Sequence, residues 1–255
     1  MLIHKRYVWL GVLVALGFSV TNANAKTLTF AGEQWVVKNG VAAPGPNNWS
    51  EDNAWVDSLG QLHLKISYLY GNWYSAEVYQ ATNKGFGNYQ WRVSSQLDQL
   101  DENIVLGLFH YKGPDGQNEI DIEMAKWGDS TAPLGNFTVY PASSTLSLKT
   151  TTFAVFPSGL DTIQRYSWRN NAVCFQLFND NGSDEPAASD KIAGWKFAPT
   201  NYKKAIPQTT MPLHINLWLR KGLAPVNGQE VEVVIKGFSY TATQNIPTGT
   251  ASWCQ

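Results

Sequence analysis

The sequence predicts an all-β fold, a sandwich or a barrel. Three observations predict it. Apolar and polar residues alternate in many short runs. Clusters of Gly, Pro, Asn and Asp separate those runs. Beyond the amino-terminal segment, no apolar run keeps the spacing of an amphipathic helix.

The elements follow in order. Over 59–67, Leu62, Leu64 and Ile66 alternate with His63, Lys65 and Ser67, the period of a half-buried strand. Residues 87–97 (GNYQWRVSSQL) and 103–111 (NIVLGLFHY) are rich in the aromatic and β-branched residues that strands favour. Gly113-Pro114-Asp115-Gly116 is turn material, and strands over 118–124 and 135–141 follow it. Residues 164–179 read as two strands joined by a tight hairpin at Asn170-Asn171. Asn179-Asp180-Asn181-Gly182 ends that unit; 180–210 is less regular, and 182–194 (GSDEPAASDKIAG) reads as loop or a short helix. Strands over 213–219 (LHINLWL) and 230–241 (EVEVVIKGFSYT), with Asn227-Gly228 between them, complete the set. No repeat or linker divides the chain, so 26–255 is expected to form one domain.

Residues 1–25 stand apart. His4, Lys5 and Arg6 precede an apolar run from Tyr7 to Val20, and Ala23-Asn24-Ala25 closes it. This is the pattern of a secretory signal cleaved after Ala25. The run is short for a bilayer span, which needs about 20 residues. The mature chain is expected to begin at Lys26 and to be secreted or periplasmic, with no membrane contact after cleavage. A monomer is expected. Lys and Arg number 19 against 20 Asp and Glu, a balance that lacks the basic stripe nucleic-acid binding needs. The 11 Trp, 11 Tyr and 11 Phe point weakly to a carbohydrate, whose C–H faces stack on aromatic rings; filling a β core is the plainer use of them. Four scattered histidines and no CxxC indicate no metal site. Cys174 and Cys254 are expected to pair and tether the tail, with a buried free thiol at Cys174 as the alternative.

The most informative stretch is NEIDIEMAKWGD, residues 118–129. On a strand, Ile120, Ile122 and Met124 enter the core, and Glu119, Asp121 and Glu123 share the other face. A helix would turn Asp121 away and misplace the isoleucines. Like charges so close raise at least one pKa. No basic residue interleaves, so a solvated acidic face fits poorly, and a repulsive cluster in such a place suggests use. Glycoside hydrolysis needs one carboxylic acid to protonate the leaving oxygen and one carboxylate to attack or to activate water.

Glu-Ile-Asp-Ile-Glu resembles the E-x-D-x-E signature of glycoside hydrolase family 16, the laminarinase and lichenase group. Four further segments resemble the family in the same order. They are 46–67, with Trp49, Asn53, Val56 and Leu62; 75–93, with Glu77, Gly85, Gly87 and Tyr89; the Tyr166-x-Trp168 hairpin; and Met211 to Trp218. The resemblance implies a concanavalin A-like jelly roll of two antiparallel sheets with a concave substrate cleft. It implies endo-acting, retaining hydrolysis of β-linked polysaccharide, with no cofactor. Carried over, Glu119 matches the nucleophile, Asp121 the assisting acid, and Glu123 the acid/base. Glu77, Asn136, Thr138, Tyr140, Asn216 and Trp218 match cleft positions, and a subsite role is expected for Trp127. Trp73 and Trp195 are expected to pack or to lie in loops. Tyr79 stands where the family often has Arg, and Gln117 where many members have Trp. Both departures fall in sugar subsites, so they bear on linkage. Residues 233–240 lack the acid that helps many members hold calcium, so no metal is expected. The signature lacks the extra residue of the agarase and carrageenase branches, which favours β-1,3- or mixed-linkage glucan. A lectin-like binding module without turnover and a transglycosylase are the alternatives.

Overall fold

A computed structural model describes residues 25–245 together with Trp253 and Cys254. Apart from Ala25, the expected signal segment lies outside the described residues. The described residues form two antiparallel sheets stacked face to face, the jelly-roll sandwich expected.

The first sheet has eight strands: β1 (Thr27–Phe30), β2 (Glu33–Val37), β8 (Ala76–Gln80), β10 (Ile104–Tyr111), β11 (Glu119–Ala125), β12 (Gly135–Tyr140), β13 (Lys149–Phe153) and β17 (Leu213–Leu219). Their spatial order is β1-β2-β8-β17-β10-β11-β12-β13. The second sheet holds β5 (Ala54–Val56), β6 (Leu62–Leu69), β7 (Asn72–Tyr74), β9 (Gly87–Ser94), β14 (Asp161–Trp168), β15 (Val173–Asn179), β16 (Lys191–Phe197) and β18 (Val231–Ala242). Its order is β16-β15-β14-β9-β18-β6-β5, with β7 paired to β6. A small hairpin, β3 (Gly40–Ala42) and β4 (Asn47–Trp49), stands beside them.

The two inner faces meet in one core. Leu106 and Leu108 of β10 and Ile120, Ile122 and Met124 of β11 face Tyr89 and Trp91 of β9 and Tyr166 and Trp168 of β14. The core takes Trp35, Trp49, Trp91 and Trp168 whole, so filling accounts for much of the aromatic content. His110 is also enclosed there and pairs with the Tyr166 hydroxyl. Burial pushes its pKa well below the usual imidazole range, so the ring is neutral.

Every strand read from alternation is present, within a few residues. The Asn170-Asn171 turn joins β14 to β15, closed by the Arg169 N–H donating to the Ala172 carbonyl at 2.8 Å. Within 182–194 a short helical turn at Ala188–Asp190 is present, but the edge strand β16 starts directly after it; a one-turn helix, α1 (Tyr202–Ala205), follows. Ile192, Ala193, Trp195 and Phe197 of β16 pack against the core, the last three opposite Leu177, Phe175 and Val173. Lysines at its outer positions and a bulge against β15 dilute the pattern, as is usual where an edge is guarded.

Cys174 and Cys254 are bonded, with their α-carbons 5.1 Å apart. Since Val173, Phe175 and Leu177 face the core, Cys174 faces outward. The tail is thus fixed to the outer surface of the second sheet, with Trp253 under the Arg165 guanidinium at 4.1 Å from the ring centre. Among the described residues no helix is long and apolar enough to cross a membrane.

Candidate active site

β11 runs between β10 and β12, well inside the first sheet. Its isoleucines and Met124 point into the core, which forces Glu119, Asp121 and Glu123 onto the concave outer face. The register sets their neighbours. Glu119 stands between Tyr111 and Tyr140, Asp121 between Phe109 and Thr138, and Glu123 between Gly107 and Asn136. The rows continue across β17 and β8: Gly107 meets Asn216, which meets Glu77, and Phe109 meets His214, which meets Tyr79. Asn216 needs the glycine. A Cβ at Gly107 would come 2.5 Å from Asn216 Oδ1.

Together these residues line a cleft of about 710 Å³. Glu77, Trp127, Asn136, Thr138, Tyr140, Asn216 and Trp218 all border it with the three acids. Tyr79 does not border it. It shares the face of Glu77, and its ring stacks on His214 at 5.5 Å. Trp127 and Trp218 meet edge to face at 6.2 Å. Gln117 lies in the connection before β11 and does not line the cleft. Trp73 and Trp195 pack against the core.

The electrostatics favour proton sharing. Burial, then the charges of Glu119 and Glu123, drive the Asp121 pKa well above the carboxylate range, and its hydrogen bond to Glu119 adds to the rise. Asp121 therefore carries a proton and donates it to Glu119. Glu119 is pushed up to about 8 by burial and by the charges of Glu123 and Asp115, with the Asp121 hydrogen bond acting the other way. Burial pushes Glu123 up to about 7, opposed by Asn136, whose Nδ2 donates to Glu123 Oε2 at 2.8 Å. Glu77 behaves oppositely. Its burial alone would raise it, but the hydrogen bond from His214 at 3.0 Å and the Lys38 ammonium at 2.8 Å outweigh that and hold it ionised.

Lys38, Phe109, Asp115 and His214 are among the cleft residues that the sequence does not single out. His214 was within reach, since it alternates with Asn216 and Trp218 on β17. Lys38 and Asp115 follow a strand and sit in a turn, where no period marks a face. Among the described residues, no group of three His, Cys, Asp or Glu side chains is placed to hold a metal ion.

No protein-family model and no curated protein matches the sequence. Solved structures do match. The Bacillus licheniformis β-glucanase superposes with a TM-score of 0.59 at 18% identity, covering 87% of this chain and 99% of that one. A pseudo β-1,3-glucanase of Mycobacterium tuberculosis gives 0.61 at 18%, over 82% and 91%. A family 16 glycoside hydrolase from the Bacteroides ovatus mixed-linkage glucan locus, solved with an oligosaccharide product, gives 0.58 at 14%, over 81% and 94%. The resemblance read from the motifs thus extends to the fold, and the chain is built on the jelly roll of the family 16 β-glucanases.

Proposed function

We propose that this chain is an exported, endo-acting hydrolase of β-linked glucan, with β-1,3- or mixed linkages, that retains anomeric configuration. The observation that carries the reading is the set of three carboxylates on alternate positions of β11, Asp121 buried between the half-buried Glu119 and Glu123, all lining the cleft. In the first step the Glu119 carboxylate attacks the anomeric carbon. Glu123 gives its proton to the departing glycosidic oxygen as that C–O bond breaks. In the second, Glu123 takes a proton from water, whose oxygen attacks the same carbon and expels Glu119. Asp121 keeps its proton and donates it to whichever charge Glu119 bears. Its buried Oδ1, without a protein partner in this site, has no competing tie.

Glu77, Asn216, Trp218, Trp127, Asn136, Thr138 and Tyr140 supply the sugar-binding walls in this reading. Tyr79 acts through His214, which holds Glu77. The similarity to a pseudo β-1,3-glucanase favours a second reading, a glucan-binding module without turnover; against it, all three acids are present. A transglycosylase would use the same intermediate with a sugar in place of water.

The test is release of reducing ends by the purified mature chain from laminarin, barley β-glucan, xyloglucan, agarose and carrageenan. Activity on either of the first two that Glu119→Gln abolishes supports the proposal. Binding without any release favours the module, and longer oligosaccharide products without net hydrolysis favour the transglycosylase.

A further inference from the structure

We propose that Trp127 and Thr138 are positioning residues that lock the Asn136 side-chain amide in one orientation, so that Glu123 always faces an N–H donor. The catalytic meaning of this rests on the role proposed above for Glu123; the lock itself rests on hydrogen-bond geometry.

An asparagine amide can be reversed end for end, and its neighbours decide which way it points. Here both sides decide. The indole N–H of Trp127 can only donate, and it lies 3.0 Å from Asn136 Oδ1, which must therefore be the carbonyl oxygen. The other side runs through two hydroxyls. The Phe137 carbonyl can only accept, so Thr150, 3.1 Å away, gives it its proton. Thr150 then has only lone pairs left for Thr138, which donates to it at 3.0 Å. Thr138 in turn has only lone pairs left for Asn136 Nδ2, at 3.3 Å. A backbone carbonyl at one end and an indole at the other thus impose the same polarity. The end they make a donor is the one 2.8 Å from Glu123 Oε2.

The indole is held for this task. Trp127 has a φ of 55°, a left-handed conformation that strains a non-glycine residue. Gly128 follows, pinned by its N–H to the Glu102 carbonyl at 2.8 Å. A Cβ there would come 2.2 Å from the Arg220 guanidinium. A strained residue fixed by its successor, with its ring nitrogen on Asn136, is what a rigid anchor requires.

The consequence concerns both half-reactions. An acid/base must hold a proton in one step and be free of it in the next. A reversed amide would turn its carbonyl towards Glu123, and only the protonated acid would then be satisfied. The other charged or titratable groups of the cleft around Glu123 are Asp121 and Glu119 on β11, Tyr140 on β12, Tyr111 on β10, Asp115 in the turn before β11, His214 on β17, Glu77 on β8 and Lys38 beyond β2. None is altered in the variants below.

The test is the titration of the Glu123 carboxyl in carbon-13-labelled glutamate protein, assigned with Glu123→Gln. Asn136→Ala should raise its midpoint by about one pH unit, the size expected for a lost hydrogen bond to a charge. Trp127→Phe and Thr138→Val, at opposite ends of the network, should each move it in the same direction. Trp127→Phe should add nothing to Asn136→Ala. The alkaline limb of kcat/KM should move up in parallel, with kcat falling more than KM rises. A Glu123 midpoint unmoved in both Trp127→Phe and Thr138→Val overturns the lock, as does full additivity with Asn136→Ala. If the chain turns over no glycan, the proposed function fails while the titration still decides the lock. Either end variant alone suffices if the other fails to fold.

Discussion

At the scale of single residues, the three acids of β11 make separate predictions because their surroundings differ. Glu119→Gln should lose nearly all turnover on glucan, since an amide cannot serve as the nucleophile. It should also change stability with a defined sign. The Glu119 pKa in the fold is pushed up to about 8 from the ordinary 4.5, so the native state binds a proton that the unfolded state releases. Stability from this group is full below about pH 4.5 and is lost as pH rises towards 8. Thermal melts should therefore show Glu119→Gln gaining on the parent protein as pH rises through that window; equal melting temperatures at pH 8 would contradict the burial argument. Asp121→Asn should slow the reaction less than either glutamate change, because Asp121 bonds to Glu119 and not to the sugar; kcat values for the three variants decide this. Glu123→Ala should be slow on natural glucans but much less impaired in the first step on aryl glycosides, whose leaving group needs no proton. Azide should then restore turnover and give a β-glycosyl azide, the product of two inversions. An α-azide in the product analysis would mean that Glu123, not Glu119, is the nucleophile.

At the scale of the strand, the glycine of β10 tests how the sheet shapes its groove. Gly107 leaves the space that Asn216 fills from β17, and Asn216 is almost fully buried. Gly107→Ala should keep the fold and displace that side chain, raising KM for glucan several-fold with a smaller change in kcat. Steady-state kinetics separate the two. The same scale explains what alternation could tell. β11 and β17 were legible because each has one face in the core and one at the cleft, so the period of two sorts their side chains. Glu77 was legible only through its motif, since β8 is short and reads as buried throughout apart from Tyr79. β16 was missed because an edge strand keeps a single half-buried face. The stacking of Tyr79 on His214 of the neighbouring strand is a contact no local pattern encodes. The Asn136 network was equally hidden, since it joins three strands and a loop and its polarity depends on which atoms can donate.

At the scale of the whole molecule, the disulfide closes a loop of 80 residues between β15 and the tail. Crosslinks of this kind typically contribute about 2–4 kcal/mol, or a melting shift of about 5–15 °C for a chain of this size. Cys254→Ser should lower the melting temperature by that amount and leave kcat on glucan nearly unchanged, since the bond lies on the sheet that does not carry the acids. A loss of activity without a loss of stability would show that the tail reaches the site.

The tether also sets a direction. The acids open on the outer surface of one sheet, and residues 253–254 are stapled to the outer surface of the other. A support, a dye or a second module joined at this end of the chain therefore starts about two sheet thicknesses from the groove and on its far side. Protein immobilised through its carboxyl end should present the groove outward, open to a polymer too long to diffuse beneath it. Attachment through the β12–β13 side would bury the groove against the surface.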